Sequence, residues 1–133
     1  MDVGGYGYNK FHLEALTAER AEDLSQFKKM NLMKKTMGER IVTPMHCAAI
    51  NPNVEILRAF IDLNGEVGVP DEKQRKLVHY AAACEGVGPL KMLVEEKMVD
   101  SREADSLKNT TLMIACKYLN QKFFNFLIFI EHL

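Results

Sequence analysis

The chain has 133 residues, with 17 lysines and arginines against 18 aspartates and glutamates and a hydrophobic share of 47%. These values are typical of one folded domain, and they argue against disorder and against a nucleic-acid binder that depends on strong overall positive charge. No window approaches the roughly 20 apolar residues of a membrane span, and the first residues do not resemble a signal peptide.

Four similar segments follow one another along the chain, at residues 9–15, 43–49, 76–82 and 110–116. His12, His46 and His79 occupy the same place in the first three, and Met113 takes that place in the fourth. The spacing between these positions is 33 or 34 residues. Such a period indicates a repeat protein, and a histidine at a fixed repeat position is expected to make structural hydrogen bonds.

A longer helix is predicted after each of the last three segments. In the second unit Ile56, Phe60 and Leu63 are three or four residues apart and share one helix face. Prolines and glycines mark turns at residues 51–53 and 86–89, and polar connections at 64–65, 70–71 and 100–101 suit turns or β-hairpins. In the first unit the second helix is ill-defined between residues 19 and 33, and its polar character suits an N-terminal cap.

The segment TPMHCA at residues 43–48 resembles the T-P-L-H-x-A signature of the ankyrin repeat. The resemblance covers nearly the whole chain from residue 9 and is weakest in the first copy. It implies an all-α solenoid of helix-turn-helix repeats joined by hairpins or loops. The expected division is an N-terminal tail at 1–8 and a repeat domain at 9–133, with units at about 9–42, 43–75, 76–109 and 110–133.

Stacking is expected to bury the apolar face that a single helix pair leaves exposed, and small residues in the first helices allow close approach. Two departures from the family pattern stand out. Lys76 and Leu77 replace the usual Thr-Pro, so the third unit lacks a hydroxyl cap. Met113 cannot make the hydrogen bonds that the family's histidine is expected to make to its own repeat and to the adjoining loop.

The resemblance implies that the concave face, formed by hairpin tips and first helices, binds another protein or a peptide. The register places Leu13, Leu16, Cys47, Ile50, Ala83 and Ile114 on this face, and the residues predicted to bind the partner are Asn51, Arg75, Tyr80, Lys108, Lys117 and Tyr118. The tyrosines are the expected anchors. Lys73 and the other basic residues would form a strip suited to an acidic or phosphorylated peptide, although residues 73–76 could equally form a solvated hairpin tip.

The last segment, residues 123–133, is apolar on nearly every side. It could be a phenylalanine-rich core helix, or the array could continue beyond it. The alternative function is structural: self-association into a homodimer, with a C-terminal interface formed by Phe124, Phe126, Phe129 and Leu133.

No catalytic constellation is evident. Cys47 directly follows His46, so the two side chains point in different directions on a helix. The acidic pairs at 71–72 and 95–96 are interpreted as ordinary surface carboxylates. The three cysteines form no CxxC pair and are expected to be reduced thiols in the core. We therefore expect a non-enzymatic, cytoplasmic interaction module within a larger protein, without a cofactor, a metal or a specific nucleic-acid partner.

Overall fold

The computed structural model describes residues 10–24, 27–32, 41–63, 65–84, 88–97 and 99–117. Within these ranges the chain forms helices and turns and has no strand, which confirms the predicted all-α class. The α-helices are α1 (Lys10–Thr17), α2 (Lys29–Leu32), α3 (Pro44–Ile50), α4 (Val54–Asp62), α5 (Leu77–Ala82), α6 (Gly88–Lys91) and α7 (Thr111–Lys117). A 3-10 helix (Ala21–Leu24) lies between α1 and α2, and a π-helical turn (Met92–Glu96) continues α6.

The first helices of successive units stack in chain order. Helix α1 packs against α3, α3 against α5, and α5 against α7. Helix α4 contacts α3, α6 and the 3-10 helix, so the second helices form another layer beside the first. The helices therefore follow the expected helix-turn-helix repetition, while the limits chosen for each unit stay a prediction.

Helix α3 shows why these segments become short buried helices. Thr43 is extended, with φ −108° and ψ 163°, and Pro44 follows in the first helical turn, where its missing N–H costs nothing. Ala48 and Ala49 are fully buried, as are Ala81 and Ala82 in α5. These small side chains let α3 and α5 pack closely, as the paired alanines predict.

Helix α4 begins at Asn53, whose side chain accepts a hydrogen bond from the Glu55 N–H at 3.1 Å. Its buried face comprises Ile56, Leu57 and Phe60. Leu63, which the spacing places on the same face, follows the last helical residue and is 38% exposed.

The first unit is anchored by aromatic packing rather than by a long second helix. The buried Phe27 ring lies edge-on to Phe11, with 5.2 Å between centroids, and 4.8 Å from Phe60 in the next unit. Leu24 and Leu32 are buried beside it. The stretch predicted to be ill-defined thus holds two short helices around an apolar anchor.

Candidate partner-binding groove

The repeated histidines hold neighbouring segments together. His46 Nδ1 accepts from the Thr43 N–H at 3.0 Å, and Nε2–H donates to the Val69 carbonyl at 3.0 Å. His79 makes the equivalent pair, to the Lys76 N–H at 3.0 Å and to a carbonyl one unit onward at 2.7 Å. These contacts confirm the expected structural role, and burial lowers the pKa of His46 to about 4.

Lys76 and Met113 confirm the expected departures from the family pattern. The Lys76 side chain provides no cap to α5, and its ammonium group pairs instead with the Glu103 carboxylate. Met113 is 54% exposed, whereas His46 and His79 at the same repeat position are buried.

The described hairpin tips, residues 71–75 and 105–109, each turn around a buried aspartate. Asp71 Oδ1 accepts from the N–H groups of Lys73 and Arg75 at 2.9 Å each, and a main-chain bond from Asp71 N to Arg75 O at 3.0 Å closes the turn. Asp105 makes the same two bonds to the main chain two and four residues onward. Interpreting Asp71 as an ordinary surface carboxylate is therefore wrong, and its repetition as Asp105 after 34 residues was the missed signal.

The residue three positions after each of these aspartates is left-handed. The angle φ is 60° at Gln74 and 68° at Lys108, and Ile41 has φ 54° at the same repeat position one unit earlier. None of the three is glycine, so each turn carries a conformational cost of about 1–2 kcal/mol. A main-chain bond from Ser106 N to Lys73 O at 2.8 Å joins the two tips.

Tyr80 is tied to the first of these tips. Its hydroxyl donates to Asp71 Oδ2 at 2.6 Å, and Arg75 Nε donates to the same oxygen at 2.7 Å. The Tyr80 ring also lies 4.7 Å from the His46 ring and 5.7 Å from the guanidinium carbon of Arg75. The predicted anchor is thus fixed in one orientation, half-buried at the wall of the concave face.

Opposite pKa shifts keep this cluster in one protonation state at neutral pH. Burial raises the pKa of Tyr80, and the neighbouring carboxylate raises it further. Burial alone would raise the pKa of Asp71, but hydrogen bonds from the Tyr80 hydroxyl and the hairpin backbone outweigh it and lower that pKa. The pair therefore remains a neutral phenol that donates to a charged carboxylate.

A cavity of about 380 Å³ lies between the hairpin tips and the inner sides of α3, α5 and α7; we call it the polar cavity. Its lining comprises Val42, Ile50, Glu72, Lys73, Arg75, His79, Tyr80, Ala83, Asp105, Leu107, Asn109, Met113, Ile114 and Lys117. The structure thus brings together three residues predicted to bind a partner: Arg75, Tyr80 and Lys117.

A second cavity, of about 240 Å³, adjoins the first between α1 and α3; we call it the apolar cavity. It is lined by His12, Leu13, Leu16, Val42, Cys47, Ile50 and Tyr80. Val42, Ile50 and Tyr80 line both cavities, so the two form one continuous groove.

Asn51 does not belong to this groove. Its side chain is buried, and its amide donates to the carbonyls of Ala15 at 3.1 Å and Ala18 at 2.9 Å. It joins the first two units and leaves no side-chain surface for a partner, so its prediction as a partner-binding residue is wrong. Lys108 is exposed on the second tip without lining either cavity.

Tyr118 and the predicted C-terminal interface, Phe124, Phe126, Phe129 and Leu133, lie outside the described residues. Cys47 and Cys84 are buried free thiols, as expected. Over the described ranges, no group of three histidine, cysteine or acidic side chains is arranged to hold a metal ion. No helix in that part of the chain is long and apolar enough to cross a membrane.

Comparison with known families gives the fold a name. A family model described as "Ankyrin repeats (3 copies)" matches residues 45–132, about two thirds of the chain. The chain belongs to the ankyrin repeat family. The ankyrin match includes the second unit and all that follows it, and ankyrin repeats are protein-interaction modules without catalytic groups of their own.

Two further likenesses concern ankyrin proteins of other kinds. The poly [ADP-ribose] polymerase tankyrase of Caenorhabditis elegans is 29% identical over 66 residues, half of this chain, and the chain spans about 3% of that relative's length. A chain in the crystal structure of the yeast ribosomal protein Rps3 in complex with its chaperone Yar1 has a TM-score of 0.72 at 17% identity, covering 87% of both chains. That structural likeness supports the fold of the ankyrin array.

Proposed function

We propose that this chain is a non-catalytic ankyrin module that binds a partner protein or peptide in its concave groove. The observation that carries the proposal is the distribution of exposed apolar side chains. Five large ones are exposed within the described residues, and four of them line the groove: Leu13, Leu16, Leu107 and Met113. Apolar side chains gathered in a concavity are typical of a binding surface.

The rigidity of the groove walls supports the same proposal. Asp71 fixes Tyr80 and Arg75, and buried histidines hold the adjoining loops in place. A partner therefore meets a largely preformed surface, and little binding free energy is lost in ordering it.

Affinity capture from a cell extract, quantified by mass spectrometry, tests the location of binding. Leu107→Glu and Met113→Glu change residues that are 64% and 54% exposed, so the fold should survive. We expect the double variant to recover a wild-type partner at least tenfold less, because each carboxylate must be desolvated in the groove.

The matched control is Leu63→Glu, which alters an exposed leucine outside the groove. It should recover the partner as the wild type does. Equal recovery by the wild type and the groove variant would contradict the proposed location.

Self-association through Phe124, Phe126, Phe129 and Leu133, membership of a larger protein, the cytoplasmic location and the absence of enzymatic activity all stay predictions. Light scattering after size-exclusion chromatography tests the first of them. A dimer that Phe126→Asp converts to a monomer would support it, and a wild-type monomer would contradict it.

A further inference from the structure

The two halves of the groove differ in chemistry, and this inference rests on the proposed function. The apolar cavity is bordered by exposed Leu13 and Leu16 and by buried Val42 and Cys47, and it presents no charged side chain. A cavity of roughly 150 Å³ can hold a benzene molecule. At about 240 Å³, this one accommodates an aromatic or a large aliphatic side chain.

The polar cavity presents free positive charge. Lys73 and Lys117 are exposed, and neither takes part in an ion pair with any described residue. The carboxylates there are already used: Asp105 accepts two hairpin N–H bonds, and Glu72 Oε1 lies 3.5 Å from Arg75 Nη2. The charges left to meet a ligand are therefore the two ammonium groups.

We infer that the groove binds a linear protein segment with apolar side chains at one end and carboxylates at the other. The apolar end lies over α1 and α3, and the acidic end lies over α5 and α7 beside Lys73 and Lys117. Tyr80, which lines both cavities, divides the two ends.

Helix spacing sets the length of such a segment. Packed helices lie about 8–10 Å apart, so α1 and α7 are separated by about 24–30 Å. An extended chain rises about 3.3 Å per residue, so about seven to nine residues span the groove. The apolar and acidic ends should be about five residues apart.

Selection of random 12-residue peptides on the 133-residue chain, followed by anisotropy titration of synthetic copies, tests this inference. Selected peptides should carry an apolar cluster and an acidic cluster about five residues apart. Leu16→Asp should weaken their binding at least tenfold, and so should Lys73→Glu/Lys117→Glu, with the second effect fading in 0.5 M salt. Leu63→Asp and Lys91→Glu are the matched controls at exposed positions outside the groove, and circular dichroism checks that every variant folds.

Peptide substitutions then assign the two ends. A peptide with its apolar cluster changed to alanine should be insensitive to Leu16→Asp, and a peptide with its acids changed to amides should be insensitive to the double lysine variant. Crossed dependence, or groove-dependent peptides without this order, would overturn the inference and leave the proposed function standing. Peptides that bind all variants equally, or no enrichment at all, would overturn both.

Discussion

At the scale of single residues, the histidine of each repeat is a connector whose value depends on its staying neutral. His46 is fully buried, with Nε2–H donating to Val69 and Nδ1 accepting from Thr43. A second proton on its ring would have to replace the bond to the Thr43 N–H. Protonation is therefore a route to destabilisation.

The pKa of His46 predicts how stability depends on pH. Its value is about 4 in the folded chain and 6.5 for the unperturbed side chain, so the unfolded state binds a proton first as pH falls. Stability should decrease between pH 6.5 and 4 by roughly 3 kcal/mol from this group, with no further loss below pH 4. Urea unfolding at pH 7, 5.5 and 4 measures it.

His46→Gln is the control for that titration, because glutamine is uncharged across the range. The variant should be less stable at pH 7 and should lack this part of the pH dependence. Parallel stability curves for the two proteins would show that His46 is not responsible.

Gln74 offers a gain in stability. Its φ of 60° is costly for a side chain with a Cβ but not for glycine. Gln74→Gly should raise the free energy of unfolding by about 0.5–1 kcal/mol after the entropy of the unfolded glycine is subtracted. The neighbouring Lys73→Gly, at a position without positive φ, should lower it, and a loss of stability in both would contradict this account.

At the scale of structural elements, the hairpin tips share a backbone design but differ in their side-chain contacts. Asp71 holds its own hairpin and also Arg75 and Tyr80, whereas the described side-chain contact of Asp105 is a 3.4 Å bond from Asn109. The first tip is therefore part of the groove wall, and the second is mainly a turn.

Removing each aspartate measures that difference. Asp71→Ala should cost about 3 kcal/mol, because it leaves a half-buried guanidinium and a phenol without their acceptor. Asp105→Ala should cost about 1 kcal/mol, since it mainly removes turn hydrogen bonds. Chemical unfolding of the two variants compares them, and equal losses would contradict a special role for the first tip.

The elements also show what the sequence could and could not predict. The 33-residue period located the first helices, because a repeated stacking position demands the same small and apolar residues each time. It missed the burial of Asn51 and Asp71, because a polar side chain is buried only where the fold brings it carbonyls or N–H groups from distant residues. The acceptors of Asn51, on Ala15 and Ala18, lie more than 30 residues away along the chain.

At the scale of the whole molecule, stability is distributed along a stack. Helices α3 and α5 each pack between two first helices, whereas α1 has α3 as its described first-helix neighbour. In such an array neighbouring interfaces supply much of the folding free energy. Loss of one unit should be felt most by the units beside it.

Native-state hydrogen exchange should reveal this gradient. We expect amides of α3 and α5 to exchange more slowly than those of α1, because they open only with two interfaces. Mass spectrometry of peptic fragments after a series of labelling times measures the order. Uniform protection across α1, α3 and α5 would indicate that the chain unfolds only as a single unit.

The groove itself was only partly predictable at this scale. The register placed Leu13, Leu16, Ile50, Tyr80 and Lys117 on its surface, since period and helix geometry fix which side chains face inward. It did not single out Leu107 or Met113 as groove residues, because their exposure depends on how the hairpin tip and α7 are set against their neighbours.

The bond from Ser106 N to Lys73 O has a consequence for how this surface can change over evolutionary time. It joins neighbouring hairpin tips through the main chain, so their separation does not depend on which side chains they carry. Substitutions at exposed tip positions can therefore alter what the array recognises while the width of the recognition surface is conserved. Related chains could diverge in partner choice without having to rebuild the scaffold.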